Sequence, residues 1–375
     1  MVSHREHLPE CESLRGIAIV LVFCFHYLGS LRGYEPYDNM PAGAGLLYGG
    51  NTGVILFFVL SGFLLSRPFL LGAPLNPSSY LLRRALRILP MFYLLVLLAG
   101  LWSGQWWQAL NALFFQGIRV GVLSPMGNVW WSLVVEVQFY LILPVAVWLA
   151  RSPRYKYLLW LLVPVACYAY WQVCTSKLEP GFWAEQRDSI LGRWPLFAVG
   201  VVLAWTHIRI AVWAQRLSGH GWLGLLLVVA ALGILNLLVE HRAFTLGMYA
   251  HVFWYEHYLL EALAWGAFIL ALLNFRFPGY RLLVNPLLHR FGQWSYSIYL
   301  THSSVIFFML KGDTVLRLSW HPDGWGETAL LGIALFLLSS AISAFTYRWI
   351  ELPFLQLKSM PWSKSPRPSS AAGNV

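Results

Sequence analysis

The stretch LRGIAIVLVFCFHY, Leu14 to Tyr27, sets Arg15 and His26 at either end of an otherwise apolar run. Arginine keeps its charge and offers a planar fork of donors to phosphate or carboxylate oxygens; histidine gains and loses a proton near neutral pH. Their spacing of eleven residues amounts on an α-helix to about 1100° of rotation, roughly 20° past three full turns, with about 16 Å of rise. Both side chains then share a face, the arginine at the end of the helix and the histidine far deeper. An ionisable group at membrane depth is costly unless it meets a partner or a polar cavity. His26 is therefore a candidate functional residue, and its shared face with Arg15 makes the pair a joint candidate. A neutral histidine bonded to a neighbouring helix and an ordinary helix-end anchor are the plain alternatives. Glu12, three residues before Arg15, is placed to pair with it.

Four further stretches carry polar groups inside apolar runs. In GNTGVILFFVLSGFLLSRP (Gly50 to Pro68), Ser61 supplies a hydroxyl and Gly62 a bare backbone, suited to lining a channel or to helix packing. In YLLRRALRILPMFY (Tyr80 to Tyr93), Arg83 and Arg87 lie one turn apart with Arg84 beside them. They anchor to anionic headgroups or clamp a phosphorylated ligand. In NVWWSLVVEVQFYLILP (Asn128 to Pro144), Ser132, Glu136 and Tyr140 recur every four residues as a polar stripe. Its carboxylate should face the protein interior, for pairing or for catalytic orientation. In FGQWSYSIYLTHSS, His302 has Thr301 and Ser303 beside it and reads as a supporting, structural residue; in TYRWIELPF, Arg348 and Glu351 are i, i+3 neighbours.

The elements that must position these groups follow from composition. Of 375 residues, 58% are hydrophobic and only 11% charged, against roughly a quarter charged in a soluble domain. Apolar runs of spanning length recur from end to end. The expectation is an all-α, polytopic membrane helix bundle with about ten transmembrane helices, at 14–31, 47–66, 88–104, 130–150, 157–174, 190–207, 221–239, 258–275, 294–310 and 328–350. One membrane domain covers 1–355, and the Pro/Ser-rich segment 356–375 reads as a disordered cytoplasmic tail. Lys and Arg divide 18 to 8 between alternate sides, which puts both termini in the cytoplasm. The net charge of +10 is thus a topology signal, and nucleic acid is not an expected partner.

Cys11, Cys24, Cys167 and Cys174 show no CxxC and no metal-ligand spacing with histidine, so neither disulfides nor a metal site is expected. No convincing cleavage site follows the first apolar run, so it reads as a retained span rather than a signal peptide. Tryptophan pairs such as Trp106-Trp107 and Trp130-Trp131 sit at span ends, as an interfacial belt or as a stacking platform for rings.

Taken in order, LRGIAIVLVFCFHY, GVILFFVLSGFLL, RRALRILPMFY, WWSLVVEVQFYLILP, WSYSIYLTHSS and YRWIELPF resemble the membrane-bound acyltransferase 3 family from about Glu12 to Phe354. The resemblance implies an integral, multi-pass O-acyltransferase of the inner (plasma) membrane. It would move an acyl group, commonly acetyl, from cytoplasmic acyl-CoA to a hydroxyl of a surface polysaccharide or other glycosylated acceptor, with no bound cofactor. It also implies that Arg15 and His26 form the essential pair and that Arg83, Arg84 and Arg87 serve the CoA side. Glu12 stands where the family often has aspartate, and Leu352 where it often has arginine.

On that reading Arg15 and the Arg83 to Arg87 cluster hold the CoA phosphates, and His26 takes the acceptor's proton. Glu136 orients His26, Ser61 and Gly62 line the acyl channel, and Glu12 and His302 support the site. The competing expectation is a proton-coupled transporter or exporter of a lipid-linked or small glycosylated product, with His26 and Glu136 as relay groups.

Overall fold

A computed structural model describes residues 8–33, 43–175, 182–217, 220–241, 253–311 and 322–357. The expected tail lies outside the described residues from 358 onward. Among the described residues every regular element is helical: α1 (Pro9–Arg32), α2 (Gly45–Tyr48), α3 (Thr52–Leu70), α4 (Pro77–Ser103), α5 (Trp106–Leu113), α6 (Trp131–Arg151), α7 (Lys156–Thr175), α8 (Phe182–Glu185), α9 (Ile190–Leu217), α10 (Gly221–Glu240), α11 (Phe253–Asn274), α12 (Tyr280–Leu283), α13 (Pro286–Leu310), α14 (Trp325–Thr346) and α15 (Leu352–Leu357). Between α14 and α15 the chain widens into a π-turn, Tyr347–Glu351.

Every expected span falls on one of the long helices. Nine helices among the described residues are long and apolar enough to cross a membrane. The remaining expected span, 294–310, falls on α13, whose 25 residues give a length of about 37 Å. That helix is rich in serine, threonine and histidine, and it buries Ser295, Ser297, Thr301 and His302 inside the bundle. The protein is a polytopic all-α membrane protein.

Helix starts depart from the expected bounds where local capping decides them. Helix α4 begins at Pro77 rather than near residue 88: Asn76 accepts a hydrogen bond from the Ser79 amide at 3.1 Å, and proline takes the first turn. Arg83, Arg84 and Arg87 therefore stand within the helix, with Arg83 and Arg87 one turn apart as their spacing implied. Asn285 caps α13 in the same way, through the Leu288 amide at 2.9 Å.

Helix α1 lies at the centre of the packing. Helix α13 runs beside it in the same direction, so Glu12 and Gly16 meet Gly292 and Leu288, while His26 meets His302. A Cβ on Gly292 would overlap the Glu12 carbonyl, and one on Gly16 the Leu288 carbonyl. Helices α3 and α9 approach as closely, with Gly62 against the Phe197 carbonyl and Gly200 against Val59. Small residues are what permit such backbone contact in membranes, where dispersion replaces the hydrophobic effect as the driving force.

Buried polar links hold α1 and α13 to their neighbours. Glu10, almost wholly buried, accepts from Arg276 Nη2 at 2.9 Å and from the Tyr280 hydroxyl at 2.6 Å. Burial first, and then this hydrogen bond, push the Tyr280 phenol above its ordinary range. On α13, the Ser297 hydroxyl donates to buried Glu351.

Candidate active site

Two cavities lie end to end in the bundle. The first, about 110 Å³, takes Arg15 from α1, Ser61 from α3, Arg84 and Arg87 from α4, Ser132, Glu136 and Tyr140 from α6, and Ser295, Tyr296 and Tyr299 from α13. It lies toward the helix ends that the charge bias assigns to the cytoplasm. The second, about 510 Å³, takes His26 and Ser30 from α1, Asn51, Asn128, Trp131, Asp188, Arg193 and Lys311. It lies toward the opposite ends. Val54, Phe58 and Tyr299 line both.

The first cavity is an anion site by composition. Three guanidinium groups and one carboxylate line it, and the arginines are held in place. Arg15 pairs with Glu12 at 3.3 Å, as its i, i+3 spacing predicts. The Arg84 guanidinium stands 5.8 Å from the ring centres of both Tyr80 and Tyr140. Glu136 Oε1 accepts from Tyr140 at 2.5 Å and from Ser61 at 3.2 Å. The polar stripe Ser132, Glu136, Tyr140 thus faces inward on α6, where the every-fourth-residue spacing put it.

The second cavity surrounds a histidine with hydroxyls, amides and aromatic faces. His26 has the His302 ring as a neighbour, with centroids 5.1 Å apart. On the far wall Arg193, almost wholly buried, holds Asp188 at 3.0 Å and lies over the rings of Trp131 and Tyr258 at 5.2 and 4.5 Å. At the shared wall the Tyr299 hydroxyl accepts from Ser132 at 2.6 Å and donates to the Val129 carbonyl at 2.9 Å.

Several expectations change on this geometry. Glu136 stands with the arginines of the first cavity, not in the cavity of His26, and its acceptor oxygen serves Ser61 and Tyr140. Arg83 donates to Ser79 Oγ at 2.5 Å and does not line the first cavity, so only Arg84 and Arg87 of the three join Arg15 there. Gly62 packs on the α9 backbone, although its neighbour Ser61 does reach the cavity. Trp106 and Trp107 face outward, as a belt would, but Trp130 is fully buried against Phe92 and Trp131 lines the histidine cavity. Arg348 is exposed and Glu351 buried on the π-turn, with Ser297 as a partner of the carboxylate.

Tyr299, Asp188 and Arg193 were not singled out from the sequence. Tyr299 lies three residues before His302, one helical turn away on the same side, which is a signal available in SYSIYLTHSS. Arg193 is a cation just inside an apolar run, the same signal that marks Arg15.

Comparison with known proteins bears on the family of the chain. The acyltransferase-domain family model of acyltransferase 3 matches residues 9–348. A protein of Komagataeibacter xylinus named as a membrane-bound transacylase is 28% identical over 52% of this chain and 50% of its own length. A peptidoglycan O-acetyltransferase of Listeria monocytogenes is 28% identical over 37% of this chain and 24% of its own. An acyltransferase of Streptomyces mycarofaciens is 25% identical over 97% of this chain and 96% of its own. The chain thus matches about half of the first relative, a quarter of the second and nearly all of the third. No solved structure matches it. With the family model covering nearly the whole chain, this protein belongs to the acyltransferase 3 family.

Proposed function

We propose that the protein is an O-acyltransferase that receives acyl-CoA, most simply acetyl-CoA, at the arginine cavity and acylates a hydroxyl held in the histidine cavity. The observation that carries this reading is the wall shared by the two cavities. A cluster of three arginines suits the phosphates of CoA, which guanidinium groups bind bidentately. The pantetheine arm is then directed toward Val54, Phe58 and Tyr299, beyond which His26 stands.

His26 takes the proton from the acceptor hydroxyl as its oxygen attacks the thioester carbonyl. The tetrahedral intermediate collapses with cleavage of the C–S bond, and the departing CoA thiolate takes the proton back from His26. Ester and free CoA are the products, and His26 is returned unchanged. Arg15, Arg84 and Arg87 hold the donor, with Glu136 and Tyr140 spacing the guanidinium groups apart.

The amides, hydroxyls and aromatic faces around His26 suit a sugar-bearing acceptor, in keeping with the peptidoglycan named for the Listeria relative. On this reading the protein sits in the inner (plasma) membrane and takes its donor from the cytoplasm, an orientation that the excess of Lys and Arg on the side of the termini supports. The test is to incubate membranes carrying the protein with acetyl-labelled acetyl-CoA and a panel of surface glycans and glycosylated small molecules. Label should pass to a hydroxyl of one class. Substrate flux across the membrane with no consumption of acetyl-CoA would replace this reading with a transporter.

A further inference from the structure

We infer that His302 is the positioning residue for His26: its Nε2 accepts the N–H of one His26 nitrogen, leaving the other unprotonated toward the acceptor cavity.

The tautomer of His302 follows from its partners. Its Nδ1 lies 3.0 Å from the Ile298 carbonyl oxygen and 2.8 Å from that of Tyr299. Carbonyl oxygens only accept, so Nδ1 carries the hydrogen. In a neutral imidazole Nε2 is then an acceptor with a free lone pair. That atom is buried and has no hydrogen-bond partner, in a residue that is fully enclosed. A buried acceptor left unmet is uncommon in folded proteins and calls for an explanation.

Among the rings around His302, His26 is the one with an N–H to offer. The His302 ring is flanked by Phe23 at 6.4 Å, by Tyr299 at 5.9 Å and by His26 at 5.1 Å between centroids, the last tilted at 50°. The Tyr299 hydroxyl is engaged at Ser132 and Val129, and phenylalanine has no donor. His26 borders a cavity, which gives its ring room to turn about Cβ–Cγ and bring an N–H to Nε2. A base held in one tautomer by a third group is the general logic of nucleophile activation. Here the third group is itself a histidine, fixed by backbone carbonyls of α13.

The catalytic consequence rests on the acyltransferase reading, but the hydrogen bond does not, so the test separates them. Two substitutions divide the roles of the ring. His302→Asn keeps a donor where Nδ1 stands and removes the acceptor; His302→Gln restores an oxygen where Nε2 stands. With ¹⁵N-histidine-labelled full-length protein in lipid nanodiscs, wild-type His26 should show a single tautomer hydrogen-bonded to a nitrogen acceptor. His302→Asn should give a mixture of tautomers, and His302→Gln a single one again. Acetyl transfer from labelled acetyl-CoA should fall about 100-fold in kcat for His302→Asn, with KM for acetyl-CoA unchanged, and recover in His302→Gln. Unaltered His26 signals in His302→Asn would overturn the proposal. If that variant does not fold, the wild-type spectrum decides: a His26 N–H with no nitrogen acceptor overturns it as well. A single His26 tautomer in a wild-type protein that transfers no acetyl group would uphold the bond and overturn the acyltransferase reading.

Discussion

Arg15 and His26 stand on one helix but line different cavities, and Tyr299 stands in the wall of both. The eleven-residue spacing therefore does more than bring two polar groups to one face. It bridges a basic chamber at one end of the bundle and a polar, aromatic chamber at the other.

The arginines of α4 are not equivalent. Arg84 and Arg87 line the first cavity, whereas Arg83 bonds to Ser79 outside it. Replacing Arg84 or Arg87 by alanine should raise KM for acetyl-CoA about tenfold or more, the worth of a charge-assisted hydrogen bond. Arg83→Ala should change it less than about threefold. Steady-state kinetics on membranes with matched expression checks the ordering, and equal effects at all three positions would argue against this cavity as the donor site.

Close contact between α1 and α13 makes a stability prediction. In Gly292→Ala the new methyl group meets the Glu12 carbonyl, so the helices must separate, at a cost of about 1–3 kcal/mol. Gly233, on α10, has nothing within 4 Å of an added Cβ. Gly233→Ala should leave stability unchanged or raise it slightly. Thermal unfolding of the two variants in detergent compares them directly.

Tyr280 gives a pH dependence with a definite sign. Burial and the bond to Glu10 raise its folded-state pKa above the ordinary 10.0. The folded protein holds the phenolic proton more tightly than the unfolded chain. The stabilisation is fully present below about pH 10 and is lost as pH climbs from there toward the folded-state value. Tyr280→Phe should flatten the fall in thermal stability above pH 10, and an identical fall in both proteins would remove Tyr280 from the cause.

Much of this architecture was legible in the sequence because membrane spans are set by length and hydropathy, both local properties. The Glu12–Arg15 pair and the Ser132, Glu136, Tyr140 stripe were legible for the same reason, since helical periodicity alone places them. Which helices face which was not legible. Glu136 had to be near a cation or a histidine, but only the packing of α6 against α3 and α4 selects the arginines over His26. Gly62 was ambiguous between channel and contact because a glycine records only that something comes close, here the α9 backbone. Trp130 and Trp131 are adjacent in sequence but separate in space, one into the core and one into a cavity. Interfacial position on a linear map does not distinguish those directions.

His26 carries the central claim, and one measurement on it is the most direct. In membranes containing His26→Ala, binding of labelled acetyl-CoA should stay near the wild-type level, because the arginine cavity is untouched. Transfer of the acetyl label to the acceptor should fall by about 100-fold or more. Wild-type transfer by His26→Ala would contradict the account.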